Sequence, residues 1–162
     1  MILRPATPAD LQDLHNLHHA SWASAYRGMV PDGALGAPLD DHMGRVWAEL
    51  PGGITVAHDG TRLMGFVRLK PNQGWPYIDN LHVAPDLRGH GIGESLLKAA
   101  ATQAEQGRMW LTVLAVNHGA RRFYRRMGGQ EGAQMTEILL DTSVATYPVI
   151  WGHLAPLIRG AE

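Results

Sequence analysis

Arg88-Gly89-His90-Gly91-Ile92-Gly93 is the segment of this 162-residue chain whose residue types and spacing imply chemistry most directly. Glycine lets a backbone turn tightly and approach a ligand closely, and the first N–H groups of a helix lack intrahelical partners. Set between an expected strand, Tyr77–Val83, and an expected helix from Ile92, such a loop favours an anion, typically a phosphate. Three glycines also make an ordinary turn, so the spelling matters. A Walker loop needs Gly-Lys followed by Ser or Thr, whereas Gly93 is followed by Glu94-Ser95. The dinucleotide fingerprint needs a third glycine three positions after the second, and position 94 is Glu.

The loop does match Arg or Gln, two residues, Gly, one residue, Gly or Ala, the acyl-CoA-binding signature of GNAT acetyltransferases, through Arg88, Gly91 and Gly93. Tyr77–Pro85 before it, Ser95-Leu96-Leu97 after it, and Asn117 followed by Ala120–Gly128 resemble the same family, covering about Tyr77–Gly129. The resemblance implies an acetyl-CoA-dependent N-acetyltransferase. Backbone N–H groups of Arg88, Gly89, His90, Gly91, Ile92 and Gly93 would receive the pyrophosphate. The pantetheine would lie between splayed strands, pairing with the backbone of Leu81, His82 and Val83, and a backbone N–H near Leu81 would polarise the acetyl carbonyl.

The family places its acid at the tyrosine corresponding to Tyr124. A phenol with a pKa of about 10 keeps its proton at neutral pH and can donate it to a developing thiolate; the competing reading is a core tyrosine on an apolar helical stripe. An alkyl ammonium has a pKa of about 10.4, so a base is needed. Asp79 is the first candidate and His82 the second, against the plainer readings of a solvated carboxylate and a packed histidine. Asn117 suits an N-cap and, by resemblance, a contact to pantetheine. Arg121, Arg122, Arg125 and Arg126 read as a solvated helix face from which one or two could neutralise the CoA 3′-phosphate.

On the acceptor side, Trp22, Tyr26 and the Arg27–Asp41 loop correspond to the pocket wall of the family, with Asp32, Asp40 or Asp41 at the entrance and Asp79 within reach. Trp22 in the core and the acids as turn formers is the alternative. His15, His18 and His19 could share a helix face, but no further ligand accompanies them, and no metal is expected. Three functions stay open: acetylation of a small amine, of a protein N-terminus or lysine in an open groove, or acyl-CoA sensing without turnover.

The elements that must position these groups follow from periodicity. Ile2-Leu3-Arg4 reads as a strand; Thr7 or Asp10 caps a helix with Leu11, Leu14, Leu17 and Trp22 on one face. A loop over Arg27–Asp41 leads to a short helix around His42–Leu50. Ile54–His58 and Leu63–Leu69 form a hairpin at Asp59-Gly60. Tyr77–Val83 and Trp110–Val116 each precede a helix, the first carrying Ile92, Leu96, Leu97, Ala100 and Ala104, the second Ala120, Phe123, Tyr124 and Met127. Gln134–Leu140 and Ala145–Trp151 are strands around Asp141-Thr142-Ser143. The alternation of strands and helices reads as α/β, and the resemblance implies the GNAT acyl-CoA N-acyltransferase fold, with a mixed, mostly antiparallel sheet of about six to seven strands flanked by about four helices.

Composition agrees with one domain over residues 1–162: 45% hydrophobic residues supply a core. With 14 Lys+Arg against 15 Asp+Glu, a net charge of -1 argues against nucleic acid as a partner. Absence of cysteine excludes disulfide scaffolds and thiolate chemistry. No signal-peptide core or membrane-length apolar run occurs, so no membrane partner is expected and the location expected is cytoplasmic. The family resemblance directs any search for a homodimer to Ala145–Leu154.

Overall fold

The computed structural model describes residues 1–159. In chain order it contains β1 (Ile2–Pro5), α1 (Leu11–Ala25), α2 (Ala37–Val46), β2 (Ile54–His58), β3 (Leu63–Asn72), β4 (Trp75–Val83), α3 (Ile92–Gln103), β5 (Met109–Leu114), α4 (His118–Arg126), β6 (Gln130–Glu131), β7 (Met135–Leu139), β8 (Thr142–Trp151) and α5 (Ala155–Arg159). All eight strands join one sheet in the order β1-β2-β3-β4-β5-β8-β6, with β7 also on β8. Every pairing is antiparallel except β4 with β5, which the α3 crossover makes parallel.

Both faces of the sheet are covered. On one, α1 and α2 bury Leu14, Leu17, Leu39, Met43 and Trp47 against Val56 and Phe66. On the other, Leu96, Leu97 and Ala100 of α3 and Leu157 of α5 pack on Val67, Met109, Leu111, Val149 and Trp151. Alternation along each strand divides its residues between these two layers.

The entry to α1 is held by polar groups. Thr7 N–H donates to Asp10 Oδ2 at 2.8 Å, and Arg4 donates to both Asp10 oxygens at 2.7 and 3.0 Å. That guanidinium holds the Asp10 carboxyl down to about 2.

Several boundaries differ from the expected ones. The second helix begins at Ala37, with Pro38 in its first turn where its missing N–H costs nothing. The β2–β3 connection runs over four residues, His58 pairing with Leu63, because Asp59 Oδ1 accepts from the N–H groups of both Thr61 and Arg62. The β7–β8 turn is Leu140-Asp141, both at positive φ, earlier than the expected Asp141–Ser143. The short β6 and α5 carried no usable period. Along Ala145–Leu154, the segment the family resemblance points to for a dimer, β8 has no free strand edge: it pairs with β5 on one side and with β6 and β7 on the other.

A β-bulge in β4 creates the opening on which the site depends. Arg68 pairs with Asn80 and Leu69 with Ile78, leaving Asp79 as the extra residue. A bulge bends its strand, and β4 meets β5 in register only at Tyr77 and Trp110. Beyond that pair the strands part, so Leu81 and Val83 have β3 partners but none on β5.

Candidate active site

A cleft of about 1120 Å³ runs through the sheet where β4 and β5 separate. One half is lined by Leu81, Val83, Arg88, Gly89, Gly91, Ile92, Gly93 and the α4 side chains Phe123 and Tyr124. The other is lined by Trp22, Tyr26, His42 and Val46 from α1 and α2, facing Tyr77, Asp79, Thr146 and Glu137 on the sheet.

In the first half the ligand-facing groups are mostly backbone. Gly89 and Gly91 take φ of +83° and +80°, which L side chains rarely adopt, and a Cβ at either would project into open space. Gly91 is the N-cap of α3, so the free N–H groups of that first turn face the cleft mouth. His90 has its Nδ1 3.0 and 3.1 Å from the carbonyls of Leu87 and Arg88, bracing the turn from its exposed side. A phosphate fits this cradle, and an extended amide chain fits the unpaired edge of β4.

Arg88 turns its side chain away to α1, donating to Ser24 Oγ at 3.1 Å and to Ser21 O and Oγ at 3.3 and 3.4 Å. Asn117 caps α4, its Oδ1 accepting from Ala120 N–H at 3.2 Å, and it also lines the cleft. Of the four α4 arginines, Arg121 is committed to Glu131 at 2.7 and 2.9 Å and to the Ala115 carbonyl at 2.8 Å, and Arg125 lies 3.6 Å from Glu131. Arg126 alone among them lines the cleft.

Tyr124 stands on α4 at the seam, with Phe123 and Trp151 at ring-centroid distances of 5.3 and 6.0 Å. Burial raises its hydroxyl pKa, and nearby Tyr26 raises it further. Burial also pushes Tyr26 up to about 12, so both phenols keep their protons through neutral pH.

In the second half side chains make the wall, and the histidines organise it. His82 points toward α1. Trp22 Nε1 donates to its Nε2 at 3.0 Å, and its Nδ1 lies 2.8 Å from Ser21 Oγ. Since Nε2 accepts, Nδ1 carries the proton and donates to Ser21. Burial, then the charge of Arg88, lowers the His82 pKa to about 3. Both ring nitrogens are engaged, as in the plainer reading of a packed histidine, and the ring fastens β4 to α1.

His18 is 1% exposed and accepts from Trp47 Nε1 at 3.0 Å. Its ring lies 4.6 Å from that of His82, and burial lowers its pKa to about 2. His42 stacks on Trp22 at 5.0 Å with planes 15° apart. The sequence window containing His15, His18 and His19 is divided: His18 enters the core and His19 pairs with Asp40 at 2.7 Å. Among the described residues no group of three or more His, Cys, Asp or Glu is arranged to hold a metal.

Asp79, at the bulge, has Oδ2 3.1 Å from Arg68 and 3.3 Å from Asn80 Nδ2, and Oδ1 3.5 Å from Lys70. An incoming amine must compete with those cations. Asp32, Asp40 and Asp41 do not line the cleft. Sequence reasoning missed Ser21, His42, Thr146 and Glu137, which carry no motif and reach the cleft only through packing.

The acetyltransferase (GNAT) family model matches residues 11–129. The chain belongs to this family. A streptothricin acetyltransferase of Streptomyces lavendulae is 37% identical over 103 residues, 60% of this chain and 50% of that protein, so the match spans half of that enzyme's length. A probable N-acetyltransferase of Mycobacterium tuberculosis is 27% identical over 139 residues, 76% of each chain. Among solved GNAT folds, a GCN5-related N-acetyltransferase of Rhodopseudomonas palustris superposes with a TM-score of 0.72 at 21% identity, covering 92% of this chain and 93% of that one. The PaiA N-acetyltransferase of Thermoplasma acidophilum, solved with coenzyme A, gives 0.67 at 19% identity, covering 91% and 96%. Like these, the GNAT chain described here has an open, mostly antiparallel sheet, and no helix among its described residues is long and apolar enough to cross a membrane.

Proposed function

We propose that this GNAT-family chain transfers the acetyl group of acetyl-CoA to a primary amine of a small molecule, both bound together in the cleft. The observation that carries this reading is the passage through the sheet: a phosphate cradle lies at one end, an aromatic and acidic wall at the other, and Tyr124 between them. The wall of Trp22, Tyr26, His42 and Val46 offers aromatic and apolar surface of the kind that suits a small amine acceptor. The name of the Streptomyces relative puts amine-bearing antibiotics among the acceptors to try.

Bound acetyl-CoA supplies an activated thioester. In this reading Gly89–Gly93 hold its pyrophosphate, the free edge of β4 at Leu81 and Val83 aligns its pantetheine, and a backbone N–H at that edge stabilises the carbonyl oxygen. The amine nitrogen attacks the carbonyl carbon; the C–N bond forms, the C–S bond breaks, and the thiolate takes the Tyr124 hydroxyl proton. Asp79 receives the proton lost by the amine by way of water, Arg68 and Lys70 limiting its strength as a base. Trp22 and Tyr26 flank the acceptor, and Asn117 supports the cofactor side.

Thiol release against a panel of amines, with acetyl-CoA binding followed by calorimetry, tests this. Tyr124→Phe should bind acetyl-CoA within about threefold of wild type and lose roughly 100-fold or more in kcat. Binding without release from any amine would leave an acyl-CoA sensor.

A further inference from the structure

Three carboxylates line the cleft: Asp79, Glu94 and Glu137. Asp79 is engaged by Arg68 and Lys70, and Glu94 lies 3.0 Å from Lys98 one helical turn on. Glu137, half-buried on β7, takes part in none of the ion pairs or side-chain hydrogen bonds found among the described residues. A partly desolvated carboxylate without a partner costs free energy that a bound cation would recover.

Two further groups line the cleft with it. Glu137 pairs with Val144 on β8, beside the neighbouring pair Met135 and Thr146, so Glu137 and Thr146 share one face of the sheet. Thr146 is 3% exposed, lines the same cleft, and its Oγ1 has no hydrogen-bond partner. A buried hydroxyl without a partner is costly and marks a place where a ligand donor is wanted. Tyr77 supplies an aromatic surface nearby. Tyr77 and Glu137 line the same cleft; burial raises the Tyr77 hydroxyl pKa, a hydrogen bond with Thr112 opposes this, and the charges of Glu137 and Asp79 raise it further.

The amine that attacks a thioester must be neutral, whereas an unpaired carboxylate beside an aromatic ring stabilises an ammonium. We propose that Glu137, with Thr146 and Tyr77, holds a second, non-reacting ammonium of the acceptor, making the preferred substrate a diamine or polyamine. This assignment rests on the acetyl-transfer reading of the same cleft and names the class of its acceptor. The free carboxylate then fixes the distance between the two amino groups that the site prefers, and the aromatic wall opposite supports the chain joining them.

The test compares α,ω-diamines of three to six carbons with monoamines of the same length, in wild type, Glu137→Gln and Thr146→Val. Wild type should prefer one diamine length over its monoamine in kcat/KM. Glu137→Gln should lower that preference ratio about tenfold or more, chiefly through KM, with Thr146→Val showing a smaller loss in the same direction. Equal losses for diamines and monoamines, carried by kcat, would make Glu137 a proton acceptor and overturn the assignment; an unchanged ratio would overturn it as well. Calorimetric binding of the diamines to the CoA-loaded protein separates the two levels. Diamine binding weakened by Glu137→Gln without any turnover would sink the enzyme reading and keep the cation site. Turnover without a Glu137-dependent preference would sink the cation site and keep the enzyme.

Discussion

The two halves of the cleft are built from different material. In the cofactor half the presented groups are main-chain: positive-φ glycines at 89 and 91, the first turn of α3, and a β4 edge freed by a bulge. In the acceptor half they are side chains from α1, α2, β4, β7 and β8, held by aromatic and histidine contacts. In the proposed reading, main-chain recognition suits a ligand part that never varies, since most substitutions leave the amides in place, and side-chain recognition lets the acceptor change while the reaction stays. Arg88, Ser21, His82 and Trp22 tie the halves together in one hydrogen-bonded series.

Breaking the main-chain half should have the largest effect. Gly91→Val puts a β-branched side chain at φ +80° and into the phosphate cradle; acetyl-CoA affinity measured by calorimetry is expected to fall about 100-fold or more. A Kd within threefold of wild type would show that the phosphate is held elsewhere.

Disturbing the side-chain half should spare the cofactor. Trp22→Phe keeps an aromatic ring but removes the N–H that His82 Nε2 accepts. Steady-state kinetics should show the acceptor KM rising about tenfold, the scale of a hydrogen bond lost at a buried partner, with the acetyl-CoA Kd unchanged within twofold. If both constants worsen alike, the series through Ser21 and Arg88 couples the halves too tightly for them to act separately.

The smallest effect concerns the histidines behind the acceptor wall. Folding keeps His18 neutral, with its pKa lowered to about 2, while the unfolded chain protonates it near 6.5. Below pH 6.5 the unfolded state therefore binds more protons, and stability falls as pH drops, by up to about 1.4 kcal/mol per unit. Thermal melts should lose roughly 3–6 °C per pH unit between 6.5 and 5. His18→Phe should melt lower at pH 7 and show a flatter slope; an unchanged slope would assign the dependence to other groups.

The same contrast explains what could be read before the structure. Arg88, Gly91 and Gly93 are legible because a turn into a helix N-terminus restricts which residues fit, and Asn117 because capping does. Asp79 was visible as a carboxylate, but its place as the bulge residue was not: strict alternation would keep Tyr77, Asp79, Leu81 and Val83 on one face, and the inserted residue breaks that parity. The choice between base and packed histidine at His82 is open in the sequence for a related reason. An imidazole in a sequence titrates near neutrality, and only Trp22 and Ser21, sixty residues away, remove it from that role. Glu137 is silent in the sequence because a single acid on a short C-terminal strand has no local signature.

Periodicity and glycine conformation are local properties of the chain, and they suffice for the order of β1–β5, β7 and β8 with α1–α4 and for the glycine turn into α3. The tertiary structure alone decided which face each β4 residue takes, how far β4 and β5 separate, which histidines are kept neutral, and which carboxylate is left without a partner. Those depend on register and on desolvation by residues distant in sequence, which no local pattern encodes.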